Sequence, residues 1–176
     1  MSTHFTALRF ASLTLAALAL LSGLPNAASA QQPGQPEAKV PELQWFRGAS
    51  GYERAIELQK ATGADMFVVF YREGVANEKG LYRWMKTKGF ESSLFHNALR
   101  DYIKVKVELN KKAHERLAIQ EFNVKKTPAV YVVRPNGWNK RCDFFNWDGK
   151  QPKLLAPEKM VEELQKNSSP AEQKTE

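Results

Sequence analysis

The run Met66–Tyr71, MFVVFY, is apolar along its whole length and does not alternate. A strand with one wet face alternates apolar and polar residues, so a run that fails to alternate must be buried on both faces, inside a parallel or mixed sheet. The residues that follow, REGVANEK at 72–79, supply a polar turn and then the opening of a helix. That order puts the turn at the carboxyl end of a central strand, where open α/β sheets hold their ligands and helix N–H groups point outward. The stretch 66–79 thus sets a fold class, α/β, and an address for function.

The remaining segments supply one domain around that strand. Leu43, Trp45 and Phe46 read as a short strand. Ser50 with Glu53 three residues on is a capping box that predicts a helix start, Tyr52, Ala55, Ile56 and Gln59 share one face with Leu58 at its margin, and Gly63 closes the helix. Asn77 is the expected N-cap of the next helix, which carries Leu81, Trp84 and Met85 inward and ends at Gly89. A short helix starts near Ser92 or Ser93, with Leu94, Phe95, Ala98 and Leu99 inward. IKVKVEL at 103–109 alternates, which predicts a strand with Lys104, Lys106 and Glu108 on a solvated face. Asn110 is the expected cap of a helix whose Ala113, Leu117 and Ala118 face the core, followed by Phe122 and Val124. Ala129–Val133 is a second continuous apolar strand, Pro135-Asn136-Gly137 is a turn, and residues 141–147 return as one paired strand bearing the aromatics Phe144, Phe145 and Trp147. Pro157 opens a last helix with Met160, Val161 and Leu164 inward. The expected order is β-α-β-α(α)-β-α-β-β-α, without internal repeats.

The ends differ in character. Residues 1–30 have the form of a secretory signal: Arg9, an apolar stretch at 11–21 too short to span a bilayer, and the small-x-small cleavage site Ala28-Ser29-Ala30. Residues 31–41, rich in Pro and Gln, read as a flexible linker, 42–166 as the folded domain, and 167–176 as a disordered polar tail. The expectation is an exported chain, periplasmic or secreted, with no stable membrane anchor after signal cleavage. The formal charge is +7, one unit of it on Arg9, and the lysines are scattered, so no nucleic-acid partner is expected. Cys142 is the sole cysteine, which excludes an internal disulfide, a C-x-x-C pair and a thiolate zinc site. His96 and His114 fall on different helices without metal-ligand spacing, so neither a metal nor a cofactor is expected.

Three stretches, FVVFYREGVANEK, VKVELN and EFNVKKTPAVYVV with its Pro-Asn-Gly turn, together resemble the thioredoxin family over residues 43–164. The resemblance implies the thioredoxin fold, a central mixed β-sheet flanked by helices on both faces, with a cis peptide at Thr127-Pro128 lying against the active-site loop. It also implies that the strand at 103–109 is interior, so that its lysines must reach out past a helix. Trp45 and the Ala-containing helix after it are similar to secreted thioredoxin-like domains, and residues 89–96 look like an insertion relative to small thioredoxins. Laying Phe70-Tyr71 on the family's aromatic pair puts Val75-Ala76-Asn77-Glu78 where the family has C-x-x-C. Exchange needs a thiolate to attack a disulfide and a second thiol to release the product. Val75 and Glu78 supply neither, and no cysteine lies between 66 and 141. The expectation is a degenerate loop with no catalytic residue. Glu78 is read as complementing the positive end of its helix rather than as a general base.

What the resemblance leaves is a peptide-holding groove of Gly74, Val75, Thr127 and Pro128. Such a groove takes an extended segment of an extracytoplasmic protein or peptide by strand addition, as a chaperone-like or scaffold module. The alternative is a one-cysteine thiol oxidoreductase or peroxidase using Cys142, against the plainer reading of a buried, inert thiol.

Overall fold

In the computed structural model, which describes residues 44–148 and 151–170, the central element is the continuous apolar strand. The expected signal segment 1–30, the expected linker 31–41, Leu43 of the expected first strand and residues 171–176 of the expected tail lie outside the described residues. Five strands, β1 (Trp45–Arg47), β2 (Met66–Tyr71), β3 (Ile103–Glu108), β4 (Ala129–Val133) and β5 (Asn139–Cys142), form a mixed sheet in the order β1-β3-β2-β4-β5. β2 pairs parallel with β3, Met66 opposite Ile103, and antiparallel with β4, Phe70 opposite Ala129.

The absence of alternation in β2 follows from two cores. Met66, Val68 and Phe70 join Val105, Val107, Phe122 and Tyr131 on one face, with α1 (Gly48–Thr62) and α4 (Lys112–Gln120). Phe67 and Val69 join Phe90, Phe95 and Leu164 on the other, with α2 (Ala76–Met85), α3 (Ser93–Ala98) and α5 (Pro157–Asn167). Helices therefore flank a mixed sheet on both faces, the expected architecture. Among the described residues no helix is long and apolar enough to cross a membrane.

Helix starts depart from the capping signals. α1 begins at Gly48, directly after β1, with Arg47 as N-cap, and Ser50 and Glu53 lie inside it. The cause is the sheet: β1 pairs with β3 as far as Arg47 opposite Lys106, so the chain must turn at once, and Gly48 does so at φ 70°. A Cβ on Gly48 would also stand 2.6 Å from His114 Nε2. Gly48→Ala is therefore expected to destabilise by about 1–3 kcal/mol in urea unfolding. Gly80→Ala, where an added Cβ meets nothing within 4 Å in mid-helix, should stabilise by about 0.5–1 kcal/mol.

α2 starts at Ala76 with Val75 as N-cap, so Asn77 is a helical residue and not the cap. The helix does not end at Gly89. It passes into a π-helical turn, Lys86–Phe90, in which Gly89 is buried against Met160. Trp84 and Leu94 are exposed rather than inward, and Tyr82, half-buried, stacks on Tyr71 instead. α4 is capped by Lys111, not Asn110, and Ala113 is exposed, while half-buried His114 places Nδ1 2.7 Å from the Glu108 carbonyl.

Residues 141–147 are not one strand. β5 stops at Cys142, and Phe145–Asp148 (β6) pairs with Gln151–Leu154 (β7) in a separate two-stranded sheet. The break follows Phe144, which turns into the core against Phe90 and Phe95 and bonds its carbonyl to Leu155 N–H. The polar tail also begins later than residue 167: Asn167 and Ser168 are buried, and Ser169 donates N–H and Oγ–H to Asp65 at 2.8 and 2.6 Å. Lys104 does not reach solvent. It is buried and donates to the carbonyls of Leu99 and Tyr102.

Candidate functional site

The carboxyl end of β2 delivers the chain through residues 72–75 to the N-terminus of α2, where Lys79 N–H bonds the Val75 carbonyl at 2.8 Å. Glu78 lies in the first turn and carries its negative charge at the positive end of the helix. From the other side comes the segment entering β4, in which the Thr127–Pro128 peptide is cis. Thr127 is buried, and its Oγ1–H donates to Glu78 Oε2. The first turn of α2 is thus tied to the cis-proline segment 49 positions away.

Beside this bond lies a cavity of about 860 Å³. Its apolar surface includes Leu81, Met85, Pro128 and Phe145, and Lys126, Arg141 and Asp143 supply charge. Of the four residues expected to form a groove, Thr127 and Pro128 line the cavity and Gly74 and Val75 do not; Asn77 and Glu78 line it from α2. Because α2 starts at Ala76, Gly74 and Val75 belong to the exposed turn before the helix, Val75 being 44% exposed. Ala76 is exposed on the first turn. Leu81 and Met85 were legible as site residues only through their spacing: they follow Glu78 at i+3 and i+7, one helix face. Phe145 and Arg141 had no such signal.

Cys142 also lines this cavity, yet it is 3% exposed. Burial pushes its thiol from an ordinary 9.0 up to about 12; a bond from Asn167 Nδ2 at 3.4 Å works in the opposite direction, and Glu163 and Asp143 add to the rise. Since the thiolate is the nucleophile, almost none is present at neutral pH. A disulfide reagent is expected to label no thiol in the native chain near pH 8 and one per chain after unfolding in urea. Burial likewise raises Tyr52, Tyr82 and Tyr102 to about 12. The folded state then keeps protons that the unfolded chain releases near pH 9–10, so this stability is complete below about pH 9 and is lost as pH rises toward 12. The urea midpoint should be flat from about pH 7 to 8.5 and fall above pH 10; a midpoint that rises there would contradict the buried thiol and phenols.

No protein-family model and no curated protein matches the chain. Solved structures match. The oxidised C-terminal domain of Neisseria meningitidis DsbD superposes with TM-score 0.51 at 17% identity, over 70% of this chain and 99% of that one. A thioredoxin from Thermus thermophilus gives TM-score 0.50 at 20% identity, over 72% and 87%. The chain has the thioredoxin fold. A DsbH oxidoreductase is similar to the same extent, TM-score 0.51 at 16% identity over 78% and 91% of the two chains. Within this thioredoxin fold the first turn of α2, through Asn77 and Glu78, and the cis Thr127–Pro128 peptide bound one cavity, and the cysteine-free stretch 66–141 includes the whole β2–α2 junction.

Proposed function

We propose that this thioredoxin-fold domain acts outside the cytoplasm as a binding module, holding an extended polypeptide segment in the cavity beside Thr127–Pro128 without dithiol exchange. One observation carries the reading: where a thiol pair would be needed, Glu78 is bonded to Thr127, while a cavity of about 860 Å³ stays open next to them. That volume falls within the range of ligand sites, and an apolar floor with a few charged groups suits a peptide whose backbone pairs with the chain and whose side chains enter a pocket. Export rests on the signal character of residues 1–30.

A one-cysteine thiol enzyme is the second reading, favoured by the presence of Cys142 in the same cavity and opposed by its burial and raised pKa. The two separate in a paired assay. Fluorescence anisotropy with a reduced, carboxymethylated unfolded protein should give saturable binding, and insulin reduction by the same preparation should stay at background. Turnover that Cys142→Ala abolishes would establish the enzyme reading, and absence of both binding and turnover would remove both.

A further inference from the structure

A second cavity, of about 190 Å³, shares no lining residue with the first. It opens where Trp45 of β1, Tyr82 of α2, Phe90 of the π-helical turn and two lysines of β3 meet. The lysines are the unexpected element. β3 is interior to the sheet, and packing alone would favour apolar side chains where Lys104 and Lys106 stand. Lys104 is buried, and Lys106 sits with its Nζ 5.6 Å from the centroid of the Trp45 ring. Burial lowers the Lys106 pKa, Arg47 and Lys86 lower it further, and Glu73 opposes them, so positive charge has been gathered here against its own repulsion. Among the described lining residues three lysines, 86, 104 and 106, accompany one carboxylate, Glu91, which lies 3.6 Å from Lys86.

The π-helical turn is an independent observation. Such turns are rare and concentrate at functional sites, and this one contributes both Lys86 and Phe90 to the cavity. The size narrows the occupant. A cavity of about 150 Å³ admits one benzene ring, so about 190 Å³ accommodates a single ring with a small acidic group. Aromatic walls recognise the ring by edge and face contacts, and the ammonium groups of Lys106 and Lys86 recognise the acid by charge-assisted hydrogen bonds, Lys104 being engaged with the Leu99 and Tyr102 carbonyls. We propose that this cavity binds a small, single-ring aromatic carboxylate.

The test uses the full-length chain and three probes: benzoate, benzyl alcohol with the same ring and no charge, and inorganic phosphate with charge and no ring. The readout is the NMR indole N–H signal of Trp45, assigned through Trp45→Phe. Benzoate should shift it saturably and bind at least about tenfold more tightly than either control. Lys106→Gln should weaken benzoate by about tenfold, and Lys106→Arg should restore most of the affinity. No shift at about 10 mM benzoate, well above a millimolar Kd, would overturn the proposal, as would equal binding of benzyl alcohol or of phosphate. An unchanged affinity in Lys106→Gln would overturn it too. Should that variant fail to fold, the three-probe comparison on the unaltered chain decides alone.

Discussion

Replacing Val75 and Glu78 together by cysteine is expected to give this domain disulfide-reductase activity. Val75 is the N-cap of α2 and Glu78, bonded to Thr127, lies one turn on, so the two thiols would share the positive end of a helix. That field lowers a thiol pKa toward about 7, which makes roughly half of it thiolate at neutral pH against a few per cent for an ordinary cysteine. Insulin reduction should then exceed the dithiothreitol background by about tenfold or more. Each single variant should stay at background, because a lone thiol is held as a mixed disulfide with no partner to release it. Loss of the Thr127–Glu78 bond, whose acceptor is a carboxylate, should cost about 1.5–3 kcal/mol, within what an ordinary domain tolerates. If the double variant folds, titrates as two thiols and still reduces nothing, the assignment of residues 75–78 to the family's dithiol register is wrong.

The largest stability effect is expected from Phe70→Ala. Phe70 is fully buried in the central strand, with ring centroids 4.9 Å from Phe122 and 6.0 Å from Tyr131. Truncation removes the ring from both neighbours at a point where the sheet cannot collapse, so the expected cost is about 3–5 kcal/mol. Against a total of about 5–15 kcal/mol for ordinary domains, that brings the protein close to unfolding. Ile119→Ala, at 62% exposure on α4, should change stability by less than about 0.5 kcal/mol. Urea denaturation of the three proteins at pH 7 measures both. A cost under about 1 kcal/mol for Phe70→Ala would mean that β2 is not the shared wall of two cores.

How much of this was legible in the sequence depends on whether a signal was local. β2 was readable because burial on both faces erases alternation within six residues. The last helix was readable because Pro157 sits at its first turn. Ser92 caps α3 as its position predicts, but α1, α2 and α4 have no side-chain cap, so Ser50, Asn77 and Asn110 mislead about where those helices start. Their starts are set instead by where a strand releases the chain. β7 escaped notice because Pro152 argues against a strand, although on a two-stranded ribbon a proline is tolerated. The charged alternation of β3 reads as a wet face, and only the tertiary fold reveals that Lys104 is buried under it. The bond from Thr127 to Glu78 joins residues 49 positions apart, and no pattern in the chain connects them.

The proposed groove would recognise without reacting, and a single NMR titration tests this most directly. Full-length chain titrated with a reduced, carboxymethylated unfolded protein should show saturable backbone-amide shifts at Thr127, Val130 and Arg141, which surround the cavity, while signals of the exposed face of α4 stay in place. Saturable binding whose shifts fall elsewhere, or no shift at these residues at a saturating client concentration, would contradict it.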